Sequence, residues 1–269
     1  MKVTGKSVWT AVAKIRSSSP LIHNITNYVV MNTTANALLA LGASPVMAHA
    51  EEEVRDMVSL ARALVINLGT ISTPWVRSAR IAAEEAKKRK IPVVFDPVGA
   101  GATPYRTKTF RELISSFPPA ILRGNASEIM ALAEETAGTK GVDSTEASHR
   151  ALEGAAQLSG ELGSAVCVSG ETDYVVQGGR IIRIRNGHPM MARVTGLGCT
   201  ASAVCGAFAA VEPDTAAAAA GAMAVVGMAG EMAAEEAAGP GSLQYRLIDA
   251  LYRIDEGEIR RRLKVEEGR

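Results

Sequence analysis

Apolar residues recur along this chain in two alternating rhythms, short unbroken runs and longer stretches with one apolar face. The short runs, rich in Val and Ile, predict buried strands at Leu21 to Ile25, Ala63 to Asn67, Ile91 to Phe95, Ala120 to Leu122 and Ala165 to Ser169. Between them lie stretches with helical spacing: Val8 to Ile15, Tyr28 to Leu41 (ended by Gly42), Glu51 to Leu60, Pro74 to Arg89, Thr107 to Ser116, Ala126 to Glu135 and Ser144 to Leu162. Strands that alternate with helices of this length predict βαβ units, hence an α/β fold with a largely parallel sheet covered on both faces. Tyr174 to Gln177 and Arg180 to Arg185 flank Gly178-Gly179, which predicts a short antiparallel hairpin at the sheet edge. Neither repeat nor linker interrupts the pattern, so residues 1–269 are read as one domain closing in a charged tail, Glu256 to Arg269.

Composition narrows the function classes. Hydrophobic residues make up 47% of the 269 and charged residues 21%, enough for a sizeable core. With 29 Lys plus Arg against 28 Asp plus Glu, no electrostatic case exists for binding nucleic acid or an anionic membrane. Cys167, Cys199 and Cys205 lack metal-type spacing, which points to a reducing, cytoplasmic setting. The first residues lack the apolar core of a signal peptide. The apolar run Thr215 to Ala234 is long enough to span a bilayer, but its Ala and Gly content favours a buried core helix.

Polar residues gather where strands end. Ile91 to Phe95 runs into Asp96-Pro97-Val98-Gly99-Ala100-Gly101, Ala120 to Leu122 into Arg123-Gly124-Asn125, and Ala165 to Val168 into Ser169-Gly170-Glu171. Open α/β sheets bind ligands beyond the carboxyl ends of their strands, so these groups should converge. The string Arg193 to Ala201 adds a second kind of site, because Gly196 and Gly198 open a long Ala-rich helical segment. A helix start offers free N–H groups to an anion, and glycines let the backbone come close to it. Neither a dinucleotide fingerprint nor a P-loop fits, since the next strand with its acidic residue and the Gly-Lys-Ser/Thr string are both missing. A plain glycine turn with Cys199 as a small buried residue stays open beside the phosphate reading.

Other residues carry two readings. Asn125 and Glu128 have the spacing of a helix capping box, yet Asp96 and Glu128 together would also suit Mg²⁺, which takes one or two carboxylates plus phosphate oxygens. His23 fits a hydrogen-bonded core histidine better than a general base. Asn32 and Asn36, one turn apart on a predicted helix, go against propensity and point to a pocket or a subunit contact.

Several strings together resemble the hydroxyethylthiazole kinase family: Pro20 to Asn27, Ala43 to His49, Asp96 to Gly101, Arg123 to Glu128 and Thr195 to Cys199, with Gly239-Pro240-Gly241-Ser242 extending the likeness towards the end of the chain. The resemblance implies a ribokinase-like fold, ATP-dependent phosphorylation of 4-methyl-5-(2-hydroxyethyl)thiazole in thiamine salvage, Mg²⁺, and a homotrimer with sites between subunits. By motif it implies Met47 (through its backbone), Asn24 and Gly196 for the alcohol substrate, and Arg123, Ser169, Asn125 and Gly198 for ATP. It further implies Asp96 and Glu128 for the metal and Cys199 as the catalytic residue; a helix start can lower a thiol pKa, and a nearby ATP γ-phosphate would oppose that lowering. Where the family has Thr, this chain has Ser169. The rival enzyme reading is a ribokinase-like kinase for a different alcohol, such as a hydroxymethylpyrimidine, and the alternative of another class is a non-catalytic nucleotide or metabolite sensor.

Overall fold

A computed structural model describes residues 2–134 and 144–268. In chain order the elements are α1 (Gly5–Ser18), β1 (Leu21–Ile25), α2 (Met31–Leu41), β2 (Ser44–Val46), α3 (Val54–Leu60), β3 (Ala63–Asn67), α4 (Thr73–Arg89) and β4 (Val93–Asp96). There follow α5 (Pro104–Ser116), β5 (Ile121–Asn125), α6 (Ala126–Ala133), α7 (Ser144–Leu162), β6 (Ala165–Ser169), β7 (Asp173–Gln177) and β8 (Arg180–Ile184). A 3₁₀ turn at Pro189–Arg193, α8 (Leu197–Ala209), α9 (Thr215–Glu236), α10 (Pro240–Arg253), α11 (Glu256–Arg262) and β9 (Val265–Gly268) complete the described chain.

One nine-stranded sheet runs β2-β1-β3-β4-β5-β6-β7-β8-β9. Pairing is parallel from β2 through β6 and antiparallel from β6 to β9. Because side chains alternate along each strand, Val94, Ile121 and Cys167 join one apolar core under α1, α2 and α8–α10, whereas Phe95, Leu122 and Val166 join the other under α3–α7.

On the first face the helices lie unusually near the sheet and their neighbours. A Cβ at Gly206 of α8 would stand 2.7 Å from Val65 Cγ2 of β3. At Gly227 and Gly230 of α9, a Cβ would stand 2.6 Å from the Asn186 carbonyl oxygen and 2.1 Å from Met191 Sδ. The Ala- and Gly-rich composition of α9 is thus a packing requirement, and this long apolar helix is buried in the core.

The structure departs from the pattern-based expectations in identifiable places. The charged tail is α11 plus β9: Asp255 caps α11, Ile259 is fully buried, and Arg262 reaches Glu235 and Glu258. Backbone pairing with β8 recruits Val265–Gly268 despite its charge, so the predicted edge hairpin becomes a three-stranded antiparallel run. The three-residue β2 contains Pro45, which pairs only because it lies on an edge strand. Strand β5 extends past Leu122 to Asn125 because its backbone stays in register with β6 up to Asn125↔Ser169. Glu135, the expected end of the sixth helix, lies outside the described residues.

Two helical glycines should respond oppositely to the same change. Gly206→Ala must push α8 off Val65, an overpacking cost of about 1–3 kcal/mol that lowers the melting temperature by several degrees. Gly160→Ala on exposed α7 meets open space and should gain about 0.5–1 kcal/mol. Equal shifts of the two melting curves would contradict this account of the packing.

Candidate active site

The carboxyl ends of β3 and β4 place Asn67 beside Asp96 in register, and a chain of side-chain hydrogen bonds starts there. Asn67 Nδ2 donates to Asp96 Oδ2 at 2.8 Å, and Ser202 Oγ from the first turns of α8 donates to the same oxygen at 2.7 Å. Asn27 Nδ2 donates to Asn67 Oδ1 at 2.9 Å and touches Cys199 Sγ at 3.5 Å. Asp96 is fully buried, yet its Oδ1 has no hydrogen-bond partner. Burial pushes its pKa up to about 6, against the pull of Arg123 and the hydroxyl of Ser202.

Gly196 and Gly198 start α8 as the sequence suggested. Gly196 has φ +80°, and a Cβ there would lie 2.3 Å from Val30 Cγ1. Gly198 presses on the Arg123 guanidinium, where a Cβ would stand 2.8 Å from Nη1. Arg123 Nη2 donates to Ser169 Oγ at 2.7 Å, and its Nε is buried without a partner. Burial disfavours the cation, but Asp96, the buried thiols and Asp173 together hold the Arg123 pKa above its ordinary value. Arg123, Ser169 and Gly198 share the wall of a cavity of about 900 Å³ with Asp173, Met223 and Val226. The wall of this cavity thus carries both polar and apolar side chains.

The remaining expected residues sit around this centre. Glu128 is buried; its Oε2 accepts from the Asn125 N–H and its Oε1 from the Gly99 N–H. The capping box is real, with Asn125 Oδ1 accepting from the Glu128 N–H. Each carboxylate oxygen keeps a further lone pair. His23 is the core histidine expected: Nε2 lies 2.7 Å from the Ala48 carbonyl oxygen, and burial lowers its pKa, leaving it neutral. That contact and the Ser78 hydroxyl on the His49 carbonyl fix the segment around half-buried Met47. Asn24 is buried with its amide on its own strand, and neither it nor Met47 lines the 900 Å³ cavity. Asn32 and Asn36 bond each other on the surface of α2.

One expectation reverses. The start of α8 does not acidify Cys199; burial first, then the charge of Asp96, raises its pKa above the ordinary thiol value despite the Asn67 and Asn27 hydrogen bonds. Desolvation and a neighbouring negative charge both disfavour the thiolate. Cys199 rests as a thiol.

Pattern reading missed Asn67, Ser202 and Asp173. Asn67 could have been found by the rule that singled out Asp96, since it closes a predicted strand. Ser202 lies one helical turn after Cys199, and nothing in a run of small residues distinguishes it.

Residues 12–257 match the model of the hydroxyethylthiazole kinase family. A hydroxyethylthiazole kinase of Syntrophus aciditrophicus is 60% identical over 269 residues, covering all of both chains. The solved structure of a hydroxyethylthiazole kinase protein from Pyrococcus horikoshii OT3 superposes with a TM-score of 0.91 at 46% identity, covering 98% of this chain and all of that one. Pyridoxal kinase from Staphylococcus aureus, solved with pyridoxal, shares the fold at a TM-score of 0.67 and 16% identity, over 92% of this chain and 97% of its own. The expected ribokinase-like architecture is thus present.

Asp173, on the cavity wall, is buried, and burial pushes its pKa up to about 6. A carboxyl whose pKa is higher folded than unfolded (about 3.9) favours the folded state least when ionised, so its penalty grows as pH rises through about 4–6. Asp173→Asn keeps an acceptor for the Gly170 N–H and should raise the melting temperature at pH 7.5 but not at pH 4.5. An equal shift at both values would show that the ionised group is not the cause.

Proposed function

This chain belongs to the hydroxyethylthiazole kinase family, and from that premise we infer that it phosphorylates the primary alcohol of 4-methyl-5-(2-hydroxyethyl)thiazole, with ATP as donor, in thiamine salvage. The observation that carries the reading is the meeting of the α8 start with Arg123 and Ser169 on the wall of the cavity. Arg123 and Ser169 would hold ATP phosphates, with Asn125 and the Gly198 backbone beside them. Apolar wall residues such as Met223 and Val226 would pack on the base. Gly196 would lie on the alcohol, with Met47 and Asn24 on the thiazole.

Phosphoryl transfer depends mainly on alignment and on neutralising charge spread over the equatorial oxygens. The free N–H groups of the α8 start and the Arg123 cation would receive that charge. The orphaned, buried Oδ1 of Asp96 and the spare lone pairs of Glu128 suit a hard cation, so these two would hold Mg²⁺. Bound there, Mg²⁺ would neutralise phosphate charge. Cys199, resting as a thiol, would position the alcohol through Sγ, and the alcohol proton would pass to an oxygen of the transferring phosphoryl group or to water as the new O–P bond forms and the bond to ADP breaks.

The purified protein with ATP and Mg²⁺ should add one phosphate to the thiazole alcohol, read by mass spectrometry. Clean turnover of a pyrimidine alcohol or a sugar but not the thiazole would overturn the substrate. In the same assay Cys199→Ala should keep reduced but measurable turnover, whereas loss of an obligate base costs about 10²–10⁴-fold. Glu128→Gln should lower turnover and raise the Mg²⁺ needed, with little change in melting temperature; an unchanged Mg²⁺ dependence would leave it as a cap alone.

We propose in addition that residues 1–269 act as one domain, in the cytoplasm, and assemble as a homotrimer with sites between subunits. The continuous sheet supports the first, and the three free cysteines support the second. For the third, Tyr28 and Val29, next to Asn27, are 65% and 62% exposed, apolar surface that a second subunit would cover. Sedimentation should give three chains per particle, and a monomer at assay concentration would refute the assembly.

A further inference from the structure

Arg106 stands in the first turn of α5, capped by Thr103, and reaches back over the carboxyl ends of β3 and β4. Its Nη1 donates to the carbonyl oxygens of Leu68 at 3.1 Å and Val98 at 3.0 Å, and its Nη2 to that of Gly69 at 2.8 Å. Among the described residues it makes no ion pair. Half-buried, this guanidinium is committed to main-chain oxygens on two different loops.

Both loops bear on the reacting centre. Gly69 packs so tightly against Asn27 that a Cβ there would stand 2.8 Å from Nδ2, the atom that also meets Asn67 and Cys199. The Gly69 N–H donates to Asn67 Oδ1, the oxygen that accepts from Asn27. On the other loop the neighbour of Val98 is Gly99, whose N–H donates to Glu128 Oε1, with φ +76° and Arg106 Cδ against its α-carbon face. The two strands carry Asn67 and Asp96 in register just before these loops.

We propose that Arg106 is a positioning residue for the transfer reaction: one planar cation bridges the β3–α4 and β4–α5 loops and so fixes Cys199, through Asn27, and Glu128, through Gly99, in a single frame. The inference rests on the phosphotransfer reading for its kinetic part only. Lysine cannot reproduce it, because a point ammonium has no rigid fork to span carbonyls on separate loops. An error of about 1 Å in such a frame costs on the order of 100-fold in rate.

The test compares Arg106→Gln and Arg106→Lys with Arg111→Gln, which removes a bond from the same helix to the Ala131 carbonyl. Amide hydrogen exchange, read by mass spectrometry without ligands, should rise together in residues 68–70 and 97–101 of both Arg106 variants and stay unchanged in Arg111→Gln. The kcat should fall about 10- to 100-fold, with KM for ATP and for the alcohol within about threefold. Should the glutamine variant fail to fold, the lysine variant carries the same readings. Faster exchange in one loop only, or kcat within twofold of the parent beside a lowered melting temperature, overturns the proposal. A parent protein inactive on the thiazole but showing the coupled exchange would count against the substrate and in favour of the clamp.

Discussion

Everything at the carboxyl edge of the sheet is arranged around one buried carboxylate. Asp96 has no access to water, and an ionised group in that position needs partners. Asn67 and Ser202 each give a hydrogen bond, and Arg123 supplies opposite charge from the next strand. Those partners do not fully offset the loss of water, which is why the pKa stays near 6. One of its oxygens, Oδ1, is left without a hydrogen-bond partner. A site that holds a charge incompletely satisfied is preorganised for a ligand of opposite sign, and it obliges the strands that carry the partners to keep register.

That demand reaches outward through the backbone. Asn67 can serve Asp96 only while β3 and β4 stay paired, and Asn27 can serve Cys199 only while the turn at Gly69 is pressed against it. The α8 helix must also lie close, because Ser202 has a short side chain; Gly206, one turn on, makes that approach possible. Packing glycine and polar contact are two halves of a single constraint.

Much of this was legible beforehand. Alternating apolar runs gave the parallel sheet, and the rule that ligands bind beyond strand ends singled out Asp96, Arg123 and Ser169, which do lie at the expected edge. Gly196-x-Gly198 read correctly as a helix start because glycine at positive φ and at a close approach leaves a mark in sequence. Less visible were effects that depend on three-dimensional surroundings. The raised pKa of Cys199 comes from burial first and then from Asp96, more than a hundred positions away in the chain. The charged segment Val265–Gly268 looked like a tail because its pairing uses backbone groups, which every sequence carries alike. Arg106 escaped notice for a related reason, since its partners are carbonyl oxygens with no signature of their own.

The small-residue face of α9 bears on how such a cavity can diversify. With Asn186 and Met191 seated on Gly227 and Gly230, almost any larger residue at these two helix positions collides before it could reshape the pocket. The helix is a fixed mould. The facing segment around Pro189–Arg193, apart from Met191, has side chains that are exposed or half-buried and leave more room for exchange. Were the proposed nucleotide site to lie in this cavity, its shape would change more readily along that segment than at Gly227 or Gly230.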